Sequence, residues 1–306
     1  MNRSTFYRGL LALLLVVGFA FGAVAQQPAK LQGFATADAA ATALTEAIRK
    51  EDDKAVSAML GADWRDFVSG SPEDEDRVRA RFLAAWDESH KVVVSDDKAT
   101  VEVGTTGWVS PIPIVKDGAE WRFDVEAGRL EIQARDIGRN ELAVVQTMMA
   151  IVDAQRDYAA LDPMKVGVPV YARRLLSSPG KKDGLYWDAA PGEPQSPLGP
   201  AVAKAQASKG AGDDGHYGYN FRLLYAQGPA APGGAHDYLV NGRMIGGFAV
   251  IAWPVNYGET GVMTFIVNQS GDVYEQDLGP DTAKNAAAIT VFNPDKDWQK
   301  SDMTPP

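Results

Sequence analysis

Apolar positions change period along the chain, and the changes divide it. From residue 36 to 88 they recur at helical spacing. Ala40, Leu44, Ala47 and Ile48 share one face of a helix running to about Lys50, with Thr36-Ala37-Asp38 as its cap. A second short helix fits Asp53 to Leu60. A third fits Pro72 to Glu88: proline is pre-set for a first turn, and acids there meet the positive end of the helix dipole. Val78, Phe82, Leu83 and Trp86 form its expected buried stripe. Between residues 91 and 125 the period falls to two. Lys91–Ser95 and Ala99–Val103 read as strands joined at Asp96-Asp97-Lys98. Trp108–Val115 and Glu120–Val125 read as a hairpin turning at Lys116-Asp117-Gly118. Such a meander must bury one face, and the preceding helices are its expected cover.

Helical spacing returns from Gly128 to Ala160, with Leu142, Val145, Met148, Met149, Val152 and Ala159 recurring. Arg135, Arg139, Asp153, Arg156 and Asp157 mark the opposite face, and Glu131 precedes Arg135 in the favoured i,i+4 order. This stretch is the expected hinge between halves, with Gly138 as the point where it is open to breaking in two. Residues 161–216 are loop-rich, with short helical pieces expected at Val170–Leu176 and Leu198–Ala207. Strands are expected at Tyr217–Ala226, Met244–Trp253, Gly261–Asn268 and Val273–Gln276, the last hairpin turning at Ser270-Gly271. Asp281 then caps a helix from Thr282 to about Thr290. The fold class is α+β: helices packed on an antiparallel meander (36–127), then a long helix plus antiparallel sheet (128–292), with a linker at 26–35 and a tail at 293–306 expected to fray.

The first 25 residues break this pattern. Arg3 and Arg8 precede an uncharged apolar run from Leu10 to Ala23, and Ala23-Val24-Ala25 is a small-residue cleavage site. Together these predict a secretory signal peptide cut after Ala25, and a periplasmic or secreted mature chain. The run falls short of the ~20 apolar residues that span a bilayer, so no stable membrane insertion is expected after cleavage. No cysteine follows the cut to carry a lipid.

Composition sharpens this only in places. Cysteine is absent, which removes disulfides, thiolate metal sites and cysteine nucleophiles together. The chain must then be held by its core, and the roughly 280 residues left after cleavage suffice for two domains of ordinary size. The net charge of −10 becomes −12 once Arg3 and Arg8 are removed, which disfavours nucleic acid and anionic surfaces as partners of the chain as a whole.

The search for catalytic motifs returns little. G-x-S-x-G, H-E-x-x-H and a complete P-loop are all missing. Ser178-Pro179-Gly180-Lys181 fits the S-x-x-K of serine acyl-enzymes, but Pro-Gly between the two favours a turn over the helix that chemistry needs, and no K-T-G follows. His216 and His236 lie in Gly- and Tyr-rich loops. If residues 227–242 fold back, the histidines meet Asp237 in a metal or acid–base site; two surface histidines in wet loops is the favoured reading. Tyr219 and its neighbouring aromatics either line a ligand groove or, as is commoner, fill a sheet face. Asp272, Asp277 and Asp281 are a weak calcium candidate, since the spacing lacks an EF-hand loop. No cofactor is expected.

Several blocks carry a resemblance. Phe34-Ala35-Thr36-Ala37-Asp38-Ala39-Ala40, Pro111-Ile112-Pro113, Trp121-Arg122-Phe123-Asp124, Ile137-Gly138-Arg139-Asn140-Glu141, Pro179 to Trp187 and Gly261-Val262-Met263-Thr264-Phe265 resemble the bacterial exported proteins catalogued as domain of unknown function 2950. That family brings no activity or catalytic residues to carry over. Residues 33–125 also resemble small helix-plus-meander domains such as the nuclear-transport-factor-like cone. Residues 139–276 resemble the globular part of type IV pilins and pseudopilins, through Asn140-Glu141, Tyr217-Gly218-Tyr219-Asn220-Phe221 and Phe265 to Gly271. The long apolar helix that polymerises pilins is missing from the mature N-terminus, so this likeness implies a fold and not a filament subunit. Two functions stay open. One is a non-catalytic binding or assembly protein of the cell envelope with a protein partner. The other is a hydrolase or small-ligand binder using the loops around Lys181, His216 and His236, with Tyr219 and Asp237 beside them.

Overall fold

The computed structural model describes residues 30–68, 71–205 and 215–303. The export signal, residues 26–29 of the 26–35 linker, the end of the helix expected at 198–207 and the last three residues of the tail lie outside the described residues.

Three helices open the chain: α1 (Ala37–Arg49), α2 (Asp53–Leu60) and α3 (Pro72–Glu88), with a 3-10 turn at Trp64–Phe67. Each α-helix starts on a side-chain cap. Thr36 and Asp52 accept the N–H of Ala39 and Ala55, and Ser71 and Asp74 form a reciprocal capping box. Strands β1 (His90–Ser95), β2 (Lys98–Val103), β3 (Trp108–Val109), β4 (Ile114–Asp117) and β5 (Glu120–Phe123) follow, in the spatial order β1-β2-β4-β5 with β3 on β2. The strand expected over 108–115 is interrupted, because Pro111 and Pro113 have no N–H to give a ladder. Ile112 between them is buried instead, and a Cβ on Gly128 would come within 2.8 Å of it. The helices cover the meander as expected, in a core that includes Ala40, Met59, Trp86, Ile114 and Phe123. Val78 departs from the expected stripe and is 48% exposed, while Trp86 turns in.

Helix α4 (Val125–Leu161) runs 37 residues without a break, roughly 55 Å at 1.5 Å per residue. Glycine at 138 costs about 1 kcal/mol of helix propensity, and the flanking side chains outweigh it. Arg135 donates to the Val109 carbonyl, Asn140 to the Thr260 carbonyl, and Glu141 accepts from Val262 and Met263. Leu142 is exposed, unlike Val145, Met148 and Val152.

The second half contains α5 (Pro200–Ala205), β6 (Tyr219–Leu224), β7 (Ala226–Gln227), β8 (His236–Asp237), β9 (Leu239–Val240), β10 (Arg243–Met244), β11 (Ala249–Pro254), β12 (Met263–Asn268), β13 (Val273–Asp277), α6 (Thr282–Ala288) and β14 (Gln299–Lys300). The main sheet is antiparallel, in the order β14-β13-β12-β11-β6. Both α4 and α6 pack on β11, so Ala249–Ala252 are buried on both faces and read as a continuous apolar run. Its core is a cluster separate from that of the first half.

Two expectations fail here. Residues 170–176 are extended, because the buried Gln155 amide accepts from Ala172 N–H at 2.8 Å and donates to its carbonyl at 3.0 Å. The tail is held at least to 301: Gln299 and Lys300 pair with Glu275 and Tyr274, and the Ser301 N–H reaches the Val273 carbonyl at 2.9 Å. Among the described residues no helix is long and apolar enough to cross a membrane.

Candidate functional site: a cationic cleft below the long helix

The C-terminal end of α4 builds one wall of a cleft. Asp162 sits in the left-handed conformation (φ 43°) and its carboxylate accepts the Val166 and Gly167 N–H groups, both at 2.8 Å. That turns the chain back along the helix. The extended segment after it is tied to Gln155 and, through Tyr171 N–H, to the Met244 carbonyl at 2.9 Å.

A second loop forms the next wall. Leu185 and Tyr186 donate to the carbonyls of Arg174 and Leu175, and the Tyr158 hydroxyl donates to Lys182 O at 2.5 Å. The β9–β10 hairpin closes the third side, turning at Asn241-Gly242 with φ of 50° and 74°. Asn-Gly is the pair such a turn favours, because both positions need positive φ.

The open cleft between these walls holds about 350 Å³, within the range of small-ligand pockets. Met164, Val166, Val170, Tyr171 and Met244 give it apolar walls, and Arg173, Arg174, Lys181 and Arg243 bring four cations against one carboxylate, Asp183. Arg173 donates to the Gly242 carbonyl at 3.3 Å, and Arg174 lies 3.9 Å from Asp183. The side chains of Lys181 and Arg243 make no ion pair or hydrogen bond among the described residues. All four cations are exposed. Burial pushes the Asp183 carboxyl up, but hydrogen bonds from Ser178 N–H (2.7 Å) and Oγ (2.8 Å), with Arg174 beside it, hold it below the ordinary carboxylate range. Tyr158, buried and near Asp183 and Asp162, has its phenol pushed up to about 12 and stays neutral. The cleft therefore sets four cations against one ionised carboxylate, with the Tyr158 hydroxyl already given to Lys182 O.

Of the residues singled out from sequence, Lys181 alone lines this cleft. Its N–H donates to the Ser178 carbonyl across a turn with Gly180 at φ 71°, and the Ser178 hydroxyl is given to Asp183. Ser178 and Lys181 thus share a turn and not the helix that S-x-x-K chemistry needs. His216 precedes β6, half-buried beside Tyr217 and Phe221, and burial pushes its imidazole pKa down. Tyr219 is fully buried and donates to Met263 O at 2.9 Å and to Glu141 at 3.4 Å. Burial, then the Glu141 charge, pushes its phenol far up, so it acts as a fastening between α4 and β12. His236 is exposed, with ring nitrogens 3.2 Å from the Gly234 and Gly246 carbonyls, and Asp237 beside it is exposed too. Tyr225 reaches the Arg173 carbonyl at 2.9 Å, which puts the cleft by the far end of β6 from His216. That strand is six residues, roughly 20 Å at 3.3 Å each. His216 and Tyr219 therefore do not join Lys181.

The acidic trio does not form a shared site among the described residues. Asp272 pairs with Lys300 at 2.6 Å, and Asp277 accepts from Tyr257 and from Gly279 N–H. Asp281 makes no side-chain cap bond to α6. Among the described residues no group of three His, Asp or Glu is placed to hold a metal ion. A smaller hollow of about 230 Å³ lies where the halves meet, but its only cation, Arg129, is already set over Phe67 and against Asp66.

Fold and cleft together define a two-core α+β protein with a cleft lined by four cations. The chain belongs to the family described as protein of unknown function (DUF2950), which matches residues 31–301. No curated protein and no solved structure matches it.

Sequence reading missed Arg173, Arg174 and Arg243. The signal was present as a pair of arginines in an expected helix and one arginine after an Asn-Gly turn. Only the extended path of 170–176 and the hairpin's folding back bring them together.

Proposed function

We propose that this is an exported, non-catalytic binding protein of the cell envelope that holds an anionic ligand between Arg173, Arg174, Lys181 and Arg243. One observation carries this reading: on a chain of net charge −10, four cations, three of them without a carboxylate partner among the described residues, gather at a concave site with apolar walls. The separation of Lys181 from His216 weighs against a hydrolase built on those loops. A long Asn140-Glu141 helix laid over an antiparallel sheet supports the likeness to pilin globular domains, and a protein partner in the envelope fits that likeness.

The test is thermal denaturation of the mature chain with a panel of anions, inorganic phosphate and citrate first. A ligand at 100-fold its Kd adds about 2.7 kcal/mol to stability. Arg173→Ala/Lys181→Ala should abolish that shift and lower the ligand-free midpoint by no more than the lost Arg173 bond to Gly242 O explains. Equal shifts in both proteins would remove the cleft from consideration. For the address, mature protein from a periplasmic fraction should begin at Gln26; an intact Met1 in the cytoplasm would refute export.

A further inference from the structure

The surroundings of the cleft are as distinctive as its charge. Among the described residues twelve large apolar side chains are exposed, and six of them stand on the segments that build its rim. Leu161, Met164 and Val168 are on the turn that leaves α4, Val240 and Ile245 are on and beside the β9–β10 hairpin, and Tyr225 touches Arg173. Tyr171 N–H to Met244 O and Arg173 to Gly242 O hold turn and hairpin side by side. Aliphatic side chains thus crown two neighbouring projections, with cations set between and behind them. Lys165, on the first projection, adds another exposed cation, and it makes no ion pair among the described residues. The two acids of residues 161–183 are both occupied: Asp162 by Val166 and Gly167, Asp183 by Ser178.

Resting on the anionic-ligand reading of the cleft, we infer that its ligand is a lipid headgroup phosphate, and that this face docks on an anionic bilayer surface. Aliphatic tips enter the acyl boundary while Lys165, Arg173, Arg174, Lys181 and Arg243 meet phosphates at headgroup level. Long basic side chains suit that depth, since their stems lie in apolar surroundings and their heads stay wet. An acidic peptide is the poorer fit. It would need a strand edge or a row of backbone donors, and the rim offers a hairpin of two-residue strands whose Gly242 and Met244 carbonyls are already taken by Arg173 and Tyr171. The negative remainder of the chain orients the contact, because this face is the one drawn to a negative surface while the net charge opposes others. Attachment is reversible, with no spanning segment involved.

Co-sedimentation of the mature chain with vesicles of phosphatidylglycerol and phosphatidylcholine (about 3:7), against phosphatidylcholine alone, tests this. Preferential binding to the anionic vesicles is expected, and it should weaken as salt rises. Each cation removed should lower partitioning roughly 5-fold, so Lys165→Ala/Lys181→Ala/Arg243→Ala should lose at least 50-fold. Met164→Ser/Val168→Ser/Ile245→Ser, which keeps every charge, should lose at least 10-fold by giving up buried apolar area. Circular dichroism and thermal midpoints confirm that each variant is folded. No preference for anionic vesicles, or binding indifferent to the serine variant, overturns the bilayer contact. If inorganic phosphate still stabilises the chain in an Arg173-dependent way, the anion cleft survives that failure; if it does not, both readings fall. Binding to polyglutamate without binding to vesicles also overturns the inference, and assigns the cleft to an acidic peptide.

Discussion

In the N-terminal half Arg49 faces Asp87, Arg65 faces Asp53, Arg77 faces Asp74, Arg79 faces Asp76 and Glu51, and Arg122 lies between Asp117 and Glu120. Along α4 the habit continues with Arg135, Arg139 and Arg156. Around the cleft it stops. Arg173 has only a backbone carbonyl and Arg243 has no side-chain partner among the described residues. Surface pairs of this kind contribute about 0–1 kcal/mol each, so stability alone does not call for pairing in one half and openness in the other. The difference teaches that charge in the first half serves solubility and local fastening, while at the cleft Arg173, Lys181 and Arg243 stand without an acidic partner among the described residues.

The comparison can be broken most sharply at the cores. If the two clusters are independent, Phe265→Ala, at a fully buried ring, should destabilise the second half by about 3–5 kcal/mol. The first half's unfolding should keep its midpoint in denaturant titrations followed by hydrogen exchange; a single shared transition would merge the halves. Glu141→Ala removes the acceptor for Val262 and Met263 N–H and should cost about 3 kcal/mol, with exchange protection lost first at residues 258–263. Thr36→Ala removes a first-half cap and should cost about 1 kcal/mol, read from the urea midpoint.

Acid should then act on the cleft before the cores. Asp162 and Asp183 titrate below the ordinary aspartate value in the folded chain. Their contribution is therefore complete above about pH 4 and is lost as pH falls through the lowered folded values. Exchange at Val166, Gly167 and Ser178 should rise in that acid range, and Asp183→Asn should remove the Ser178 part of the effect. The smallest expected effect is that of Arg243→Ala, within about 0.5 kcal/mol in stability; a large loss there would mean its charge is structural after all.

Much of the architecture was legible in the chain. A cap marked the start of α1, proline with acids marked that of α3, and β-rich runs marked β1, β2, β12 and β13. Failures came where one distant side chain decided a local path. Gln155 holds Ala172 extended across 17 residues, and no local pattern announces that. Pro111-Ile112-Pro113 was readable as a strand breaker, but its reason, Ile112 against Gly128, is tertiary. At the site, histidines and an S-x-x-K attracted attention because their chemistry is conspicuous. The arginines that converge are unremarkable singly, and it is their spatial sum that matters.

Helix α4 has a further consequence. Gln133 donates to the Gly258 carbonyl at 2.5 Å while Arg135, two residues on, donates to the Val109 carbonyl. Neighbouring positions of one rod thus grip opposite halves. Inserting a single alanine near residue 137 would turn everything beyond it by about 100° and advance it by about 1.5 Å. Asn140 and Glu141 would then be out of phase with Thr260 and Val262, although both cores would keep their full complement of side chains. Four alanines would bring the phase back to within about 40°, at a separation roughly 6 Å longer. The helix sets the relative angle of the two halves as a screw thread does, by counting residues.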